Sequence, residues 1–213
     1  MSIHTPVTLV SQIYEKLEHD ILSGRYKAGD ILNENILSRD LSVSPIPIEG
    51  AIDILIKEML VAVADDGSRV VVGVTNKDIA DIYYIRILLE GKAAALACEN
   101  IDDDGINELD GILKQYKNCL EQNNFNGMVD VSEKFNEKLY SYCTSSTLVN
   151  TLNPLSKRVR KYCKTLSQGA SNYADAANEY EKIIEALKNK DSNLLEQIVV
   201  EHLKLDKKRI LGE

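Results

Sequence analysis

Proline is almost confined to the start of this chain: beyond Thr75 only Pro154 remains. A proline inside a helix removes a hydrogen bond and clashes with the preceding turn. Residues 76–213 are therefore free to form long helices, and their apolar spacing follows that period. Ile79, Ile82, Ile85, Leu89 and Ala93 recur on one face, behind a capping box of Thr75 and Asp78. Asp102, Asp103 and Asp104 place three carboxylates at the start of the next helix, where the dipole favours them. The Asn-rich stretch 122–127 ends that helix, and further helices are predicted over 128–142, 148–166, 174–189 and 192–210. Lys188-Asn189-Lys190-Asp191 is a tight turn between the last two. The expectation is an antiparallel bundle of six or seven helices. With no Trp and two Phe, its bulk must come from Tyr, Ile, Leu and Val.

Residues 1–75 read differently. Leu9, Ile13, Leu17, Ile21 and Leu22 have helical spacing, and Gly24 stops that helix. A turn with Gly29 follows. Asn33 and Glu34 open a second helix through Ile36, Leu37 and Leu41. Ser44 is the expected N-cap of a third, with Pro45 in the first helical position, Pro47 still in the first turn, and Ile48, Ile52, Leu55 and Ile56 as its apolar face. Two β-like runs, 60–63 and 69–72, flank a turn containing Gly67. Three short helices and a hairpin make the winged helix-turn-helix plan. The fold class is thus mainly α: a winged helix-turn-helix domain over 1–75 and a helical bundle over 76–213.

The charge and chemistry of the chain exclude several classes. The net charge is −8, so it is not a strongly basic nucleic-acid binder. Cys98, Cys119, Cys143 and Cys163 are widely spaced without a C-x-x-C pair, which excludes a zinc ribbon and reads as reduced thiols in helices. No apolar run reaches the ~18 residues of a membrane span. The first ten residues carry neither a basic nor an apolar leader segment, so a cytoplasmic protein is expected. No nucleophile–base pair, P-loop or Gly-rich dinucleotide turn occurs, and His4, His19 and His202 are scattered; an enzyme is not expected.

Four stretches carry a resemblance. Residues 21–32, Ile-Leu-Ser-Gly-Arg-Tyr-Lys-Ala-Gly-Asp-Ile-Leu, are similar to I-x-x-G-x-x-x-P-G-x-x-L, with Ala28 in place of proline. Residues 37–44, Leu-Ser-Arg-Asp-Leu-Ser-Val-Ser, are similar to L-A-x-x-L-G-V-S. Residues 85–90 match I-R-x-x-L-E, and 185–191 with His202 are similar to x-A-L-x-x-G-D…H. In order and spacing the chain resembles the GntR family of bacterial transcription regulators, in the FadR-like branch with an all-helical C-terminal (FCD-type) ligand domain. The resemblance implies a homodimer that reads a two-fold operator. It also implies a small effector, often an organic acid, bound in the bundle; repression by operator occupancy is the expected action.

The resemblance also locates the DNA-reading residues, and here the chain departs from its family. Where the recognition helix usually reads S-R-T-P-V-R-E-A, residues 44–51 read Ser-Pro-Ile-Pro-Ile-Glu-Gly-Ala. Both arginines, the usual partners of guanine and phosphate, are missing, and Glu49 reverses the charge. The contact set it implies is Arg39, Ser44, Pro45, Ile46, Glu49, Lys57 and Arg69. Residues 1–75 hold six basic and eleven acidic side chains, so the counterion-release reserve for DNA binding is small. Asp65 and Asp66 add acid at the wing tip. Two readings stay open: a DNA-binding regulator of unusual specificity, or a sensor or interaction protein whose head has weak or lost DNA affinity. Gly50, inside the helix, points to fraying or to a close backbone approach.

In the bundle, many relatives hold a divalent metal with one Asp and three His. Those positions fall on Ser132, Asn136, Tyr180 and His202. One ligand of four remains and Asp130 is out of register, so no metal and no cofactor is expected. The four side chains either line a cavity for a ligand or close into an internal network. Arg86, which the resemblance turns toward the pocket, either clamps a carboxylate or pairs with Glu90 at i+4. Of Lys157, Arg158, Arg160, Lys161 and Lys164, most form a solvated face.

Overall fold

The structure, a computed structural model, describes residues 8–165, 173 and 175–212. His4, the leader region read in 1–7, and the predicted helix ends at Leu166 and Ala174 lie outside the described residues. The chain divides into two compact units, Met1–Thr75 and Asn76–Glu213.

In the first unit, α1 (Leu9–Leu22) is capped by Thr8, whose side chain accepts from the Ser11 amide at 3.2 Å. It ends before Gly24, whose φ of +77° is the left-handed conformation glycine adopts without a Cβ penalty. Asn33 caps α2 (Glu34–Leu41) by accepting from the amides of Asn35 and Ile36. α3 (Pro45–Lys57) begins where the sequence places it, but the Ser44 hydroxyl caps nothing. An N-cap side chain bonds the amide of the second or third helical residue; the third here is Pro47, which has none, and the amide of Ile46, the second, is left unused. Gly50 does not fray the helix. A Cβ at that position would meet Val10 of α1 at 3.4 Å, so α1 and α3 simply run close there.

β1 (Val61–Val63) and β2 (Arg69–Val71) pair antiparallel, Val61 opposite Val71. The connection from α1 to α2, expected as a plain turn, also pairs with β2. Leu32 donates to the Arg69 carbonyl at 2.8 Å and Val71 to that of Asp30 at 2.8 Å, bridging Ile31 to Val70. Ile13, Leu17, Ile21, Leu37, Ile48, Ile52, Leu55, Leu60, Val61 and Val71 form this unit's core.

The second unit is a bundle of α4 (Asn76–Cys98), α5 (Asp103–Glu121), α6 (Phe125–Tyr140), α7 (Ser146–Thr165), α8 (Ala176–Lys188) and α9 (Ser192–Leu211). α4 packs on α9, α7 and α6, while α8 packs on α5 and α9. A Cβ on Gly91 would come within 2.9 Å of Val200; glycine is what lets α4 and α9 approach so closely. Asp102, Asn124 and Asp191 cap their helices through the amides of Gly105, Gly127 and Leu194. α6 starts at Phe125, three residues before the predicted position, because Asn124 is both the end of the break and the cap of the new helix. Ile85, expected on the apolar face of α4, is 40% exposed, while Tyr83, Arg86 and Glu90 are buried. Cys98, Cys119 and Cys163 are free thiols within helices; Cys143, also free, lies between α6 and α7 rather than in a helix.

Candidate DNA-contact face and ligand cavity

Burial of Ile48, Ala51, Ile52 and Leu55 turns the opposite side of α3 outward. Ser44, Pro45, Ile46, Glu49, Asp53 and Lys57 are exposed along it, Ile46 by 78%. This face therefore holds two carboxylates, one ammonium and an apolar tip. Arg39 is exposed on α2, its Nε donating to the Asn35 carbonyl at 3.4 Å. Arg69 is held back: it donates to the Gly67 carbonyl at 2.8 Å and sits 4.0 Å from Glu34. At the wing tip, Asp66 accepts from the amide and hydroxyl of Ser68 at 2.9 and 2.7 Å, which keeps its carboxyl below the usual range. Four of the seven expected contact residues thus cluster at or near the start of α3, with Lys57 at its far end; Arg69 needs rearrangement to reach outward.

The bundle holds a cavity of about 90 Å³, partly open to solvent, to which all six helices contribute. Arg86, Ser132, Asn136, Tyr180 and His202, named from the sequence on four different helices, all line it. Arg86 takes the second of its two open roles. Its Nε donates to Glu90 at 2.6 Å and a second guanidinium nitrogen does so at 3.4 Å, and both side chains are buried. Glu90 also accepts from Tyr140 at 2.9 Å and from Ser156 at 3.5 Å. Burial pushes the Tyr140 phenol far above its ordinary value, and the Glu90 charge adds to the shift. Tyr180 hydrogen bonds with Ser132 and packs its ring 4.6 Å from Phe135, 5.3 Å from Tyr116 and 5.2 Å from His202.

His202 Nδ1 lies 2.5 Å from Glu179, which also pairs with Arg209. Burial alone would raise the Glu179 carboxyl, but hydrogen bonds from His202 and Arg209 and their charges hold it below the carboxylate range. A carboxyl lowered by folding contributes stability that is complete above its unfolded value, near 4.5, and is lost as pH falls through the folded value. The melting temperature of the wild type is expected to fall more steeply below about pH 4.5 than that of Glu179→Gln; parallel curves would show that Glu179 gains nothing from its partners.

Sequence reasoning missed Tyr83, Tyr140, Asp206 and Arg209. A signal existed for two: His202, Asp206 and Arg209 follow one helical face at i, i+4 and i+7. Of the basic cluster on α7, Lys157 and Arg160 line the cavity, and Arg160 pairs with Asp130 and Glu133. The four positions at which the resemblance implies metal ligands do not fit a metal here. They supply a single imidazole, engaged by Glu179, and an aromatic ring packed among three others. Among the described residues no three His, Cys, Asp or Glu side chains gather as a metal site, and no helix is long and apolar enough to cross a membrane.

The FCD domain matches residues 81–205, and the family described as bacterial regulatory proteins, gntR family, matches 9–72. The chain belongs to the GntR family. The gluconate operon transcriptional repressor of Bacillus subtilis is 30% identical, the alignment covering 89% of this chain and 79% of the repressor. The HTH-type transcriptional regulator YdhC of the same organism is 28% identical over 94% of this chain and 90% of its own length. The solved structure of Escherichia coli McbR/YncC superposes with a TM-score of 0.73 at 22% identity, covering 97% of this chain and 98% of that one, a likeness of fold. GntR regulators bind operator DNA and FCD domains bind small-molecule effectors.

Proposed function

We propose that this GntR-family protein is a ligand-responsive transcriptional regulator that binds a two-fold operator as a homodimer and represses by occupying it. The observation that carries the reading is the cavity: side chains expected to face a ligand converge on one void inside the FCD domain. Effector binding there changes the population of DNA-binding states, as allostery requires. The operon-repressor relatives support repression. The homodimer is supported by α4, whose outer face exposes Tyr84, Ile85 and Leu88, an apolar patch suited to a second copy.

The test is selection of genomic fragments by the full-length protein at low salt, followed by a salt titration of the best fragment. Enrichment of one two-fold symmetric site with nanomolar affinity is the expected result, with Leu88→Asp giving a monomer by light scattering and losing that site. A folded dimer that enriches nothing would favour the second reading, an interaction protein with a winged head. Glu49 and Asp53 on the exposed face of α3 are the observation on its side, since both repel phosphate.

A further inference from the structure

The resemblance implies an organic acid as effector, yet the cavity walls argue for the opposite charge. The basic side chains there already have partners: buried Arg86 has Glu90, half-buried Arg160 has Asp130 and Glu133, and the His202 ring has Glu179. Lys157, the other cation of the lining, is exposed to solvent. A carboxylate entering this site would have to compete with Glu90 for Arg86, and Glu90 has the shorter path and the buried position.

Asp206 is in the contrary situation. It lines the cavity with 22% of its side chain exposed. One oxygen accepts from the Tyr83 hydroxyl at 2.6 Å. Among the described residues the other is met only by Arg209, at 4.0 Å and turned to Glu179, with the charge of buried Arg86 acting from farther off. A carboxylate offers about four acceptor sites, so among the described residues most of the capacity of Asp206 is unused. Tyr116, Tyr173, Tyr180 and Phe125 line the same cavity. Burial, and next the Asp206 charge, push the Tyr173 phenol and the Cys163 thiol above their ordinary values. Aromatic faces beside a carboxylate attract a cation through the ring quadrupole.

We infer that the cavity takes a compact molecule bearing a protonated amine, its ammonium held by Asp206 and its apolar body against the tyrosines and Phe125. This rests on the cavity being the effector site. Its size, below the roughly 150 Å³ of a void that admits benzene, favours a short carbon skeleton.

The experiment uses the full chain and matched probes, n-butylamine against butyrate and n-propylamine against propionate, read by thermal shift and calorimetry. The amines are expected to raise the melting temperature and the carboxylates to leave it unchanged. Asp206→Asn, which still accepts from Tyr83, is expected to lose amine affinity at least tenfold. Stabilisation by the carboxylates, absence of any amine effect, or equal amine binding by Asp206→Asn would each overturn the inference. If that variant does not fold, the comparison of amine with carboxylate on the wild type decides alone. The DNA selection above is independent: an enriched operator without an amine response removes this inference and keeps the regulator, and amine binding without an enriched operator does the reverse.

Discussion

Replacing Glu90 with alanine is expected to cost about 3–5 kcal/mol of stability, the loss typical of stranding one partner of a buried ion pair. Arg86 is then left charged and buried, and Tyr140 and Ser156 lose their acceptor. Arg86→Ala is expected to cost a similar amount, because it strands Glu90 in turn. The two losses do not add. In Arg86→Met/Glu90→Leu no buried charge is left unpaired, and replacing a buried pair with apolar side chains is often nearly neutral. What remains is the Tyr140 hydroxyl without a partner, worth about 1–3 kcal/mol, and adding Tyr140→Phe is expected to recover most of that. Denaturant titration of the four variants measures the coupling. Single-variant losses below about 1 kcal/mol would mean that water reaches the pair and that it is not desolvated. Glu90→Gln has a different use: it retains an acceptor for Arg86 and Tyr140 but removes the charge that excludes a competing carboxylate. Butyrate binding is expected to appear in that variant.

Glu49→Arg is expected to raise operator affinity roughly tenfold or more at low salt, because one charge-assisted hydrogen bond contributes about 1.5–3 kcal/mol and a tenfold change needs about 1.4. The position is exposed in the middle of the outward face of α3, so the longer side chain meets no core. Every phosphate that the new guanidinium neutralises also steepens the plot of log affinity against log salt by about 0.9. A fluorescence-anisotropy titration between about 50 and 200 mM salt reads both effects. Affinity that rises without a steeper slope would point to base contact rather than phosphate contact. No change in either would remove α3 from the DNA interface.

The winged head and the bundle were unequally legible in the sequence. The head was readable because its signals are short-range. Gly24 ends α1 within two residues of the last helical position, Asn33 caps α2, and Gly67 takes φ +83° in the turn between β1 and β2. The pairing of Ile31 with Val70 was not readable, since a single bridge across nearly forty residues leaves no periodicity. In the bundle, the near absence of proline and the helical repeat determined α4 to α9 to within a few residues. Ser132, Asn136, Tyr180 and His202 were picked out by the family resemblance, and they line one cavity.

Charge partnership was decided only by the tertiary structure. From the sequence Arg86 had two equal roles, and nothing nearby chose between them. The choice was made by Tyr140 and Ser156, 50 and 66 residues away, which complete the shell of Glu90 and hold it against Arg86. Asp206 took its place in the cavity through Tyr83, 123 residues distant. Backbone conformation follows from steric and hydrogen-bonding preferences within a turn or two, so the sequence by itself determined the helices and the winged head. Which charges are neutralised, and which is left to meet a ligand, depends on desolvation and on distances between helices remote in the chain, and that only the folded bundle decided.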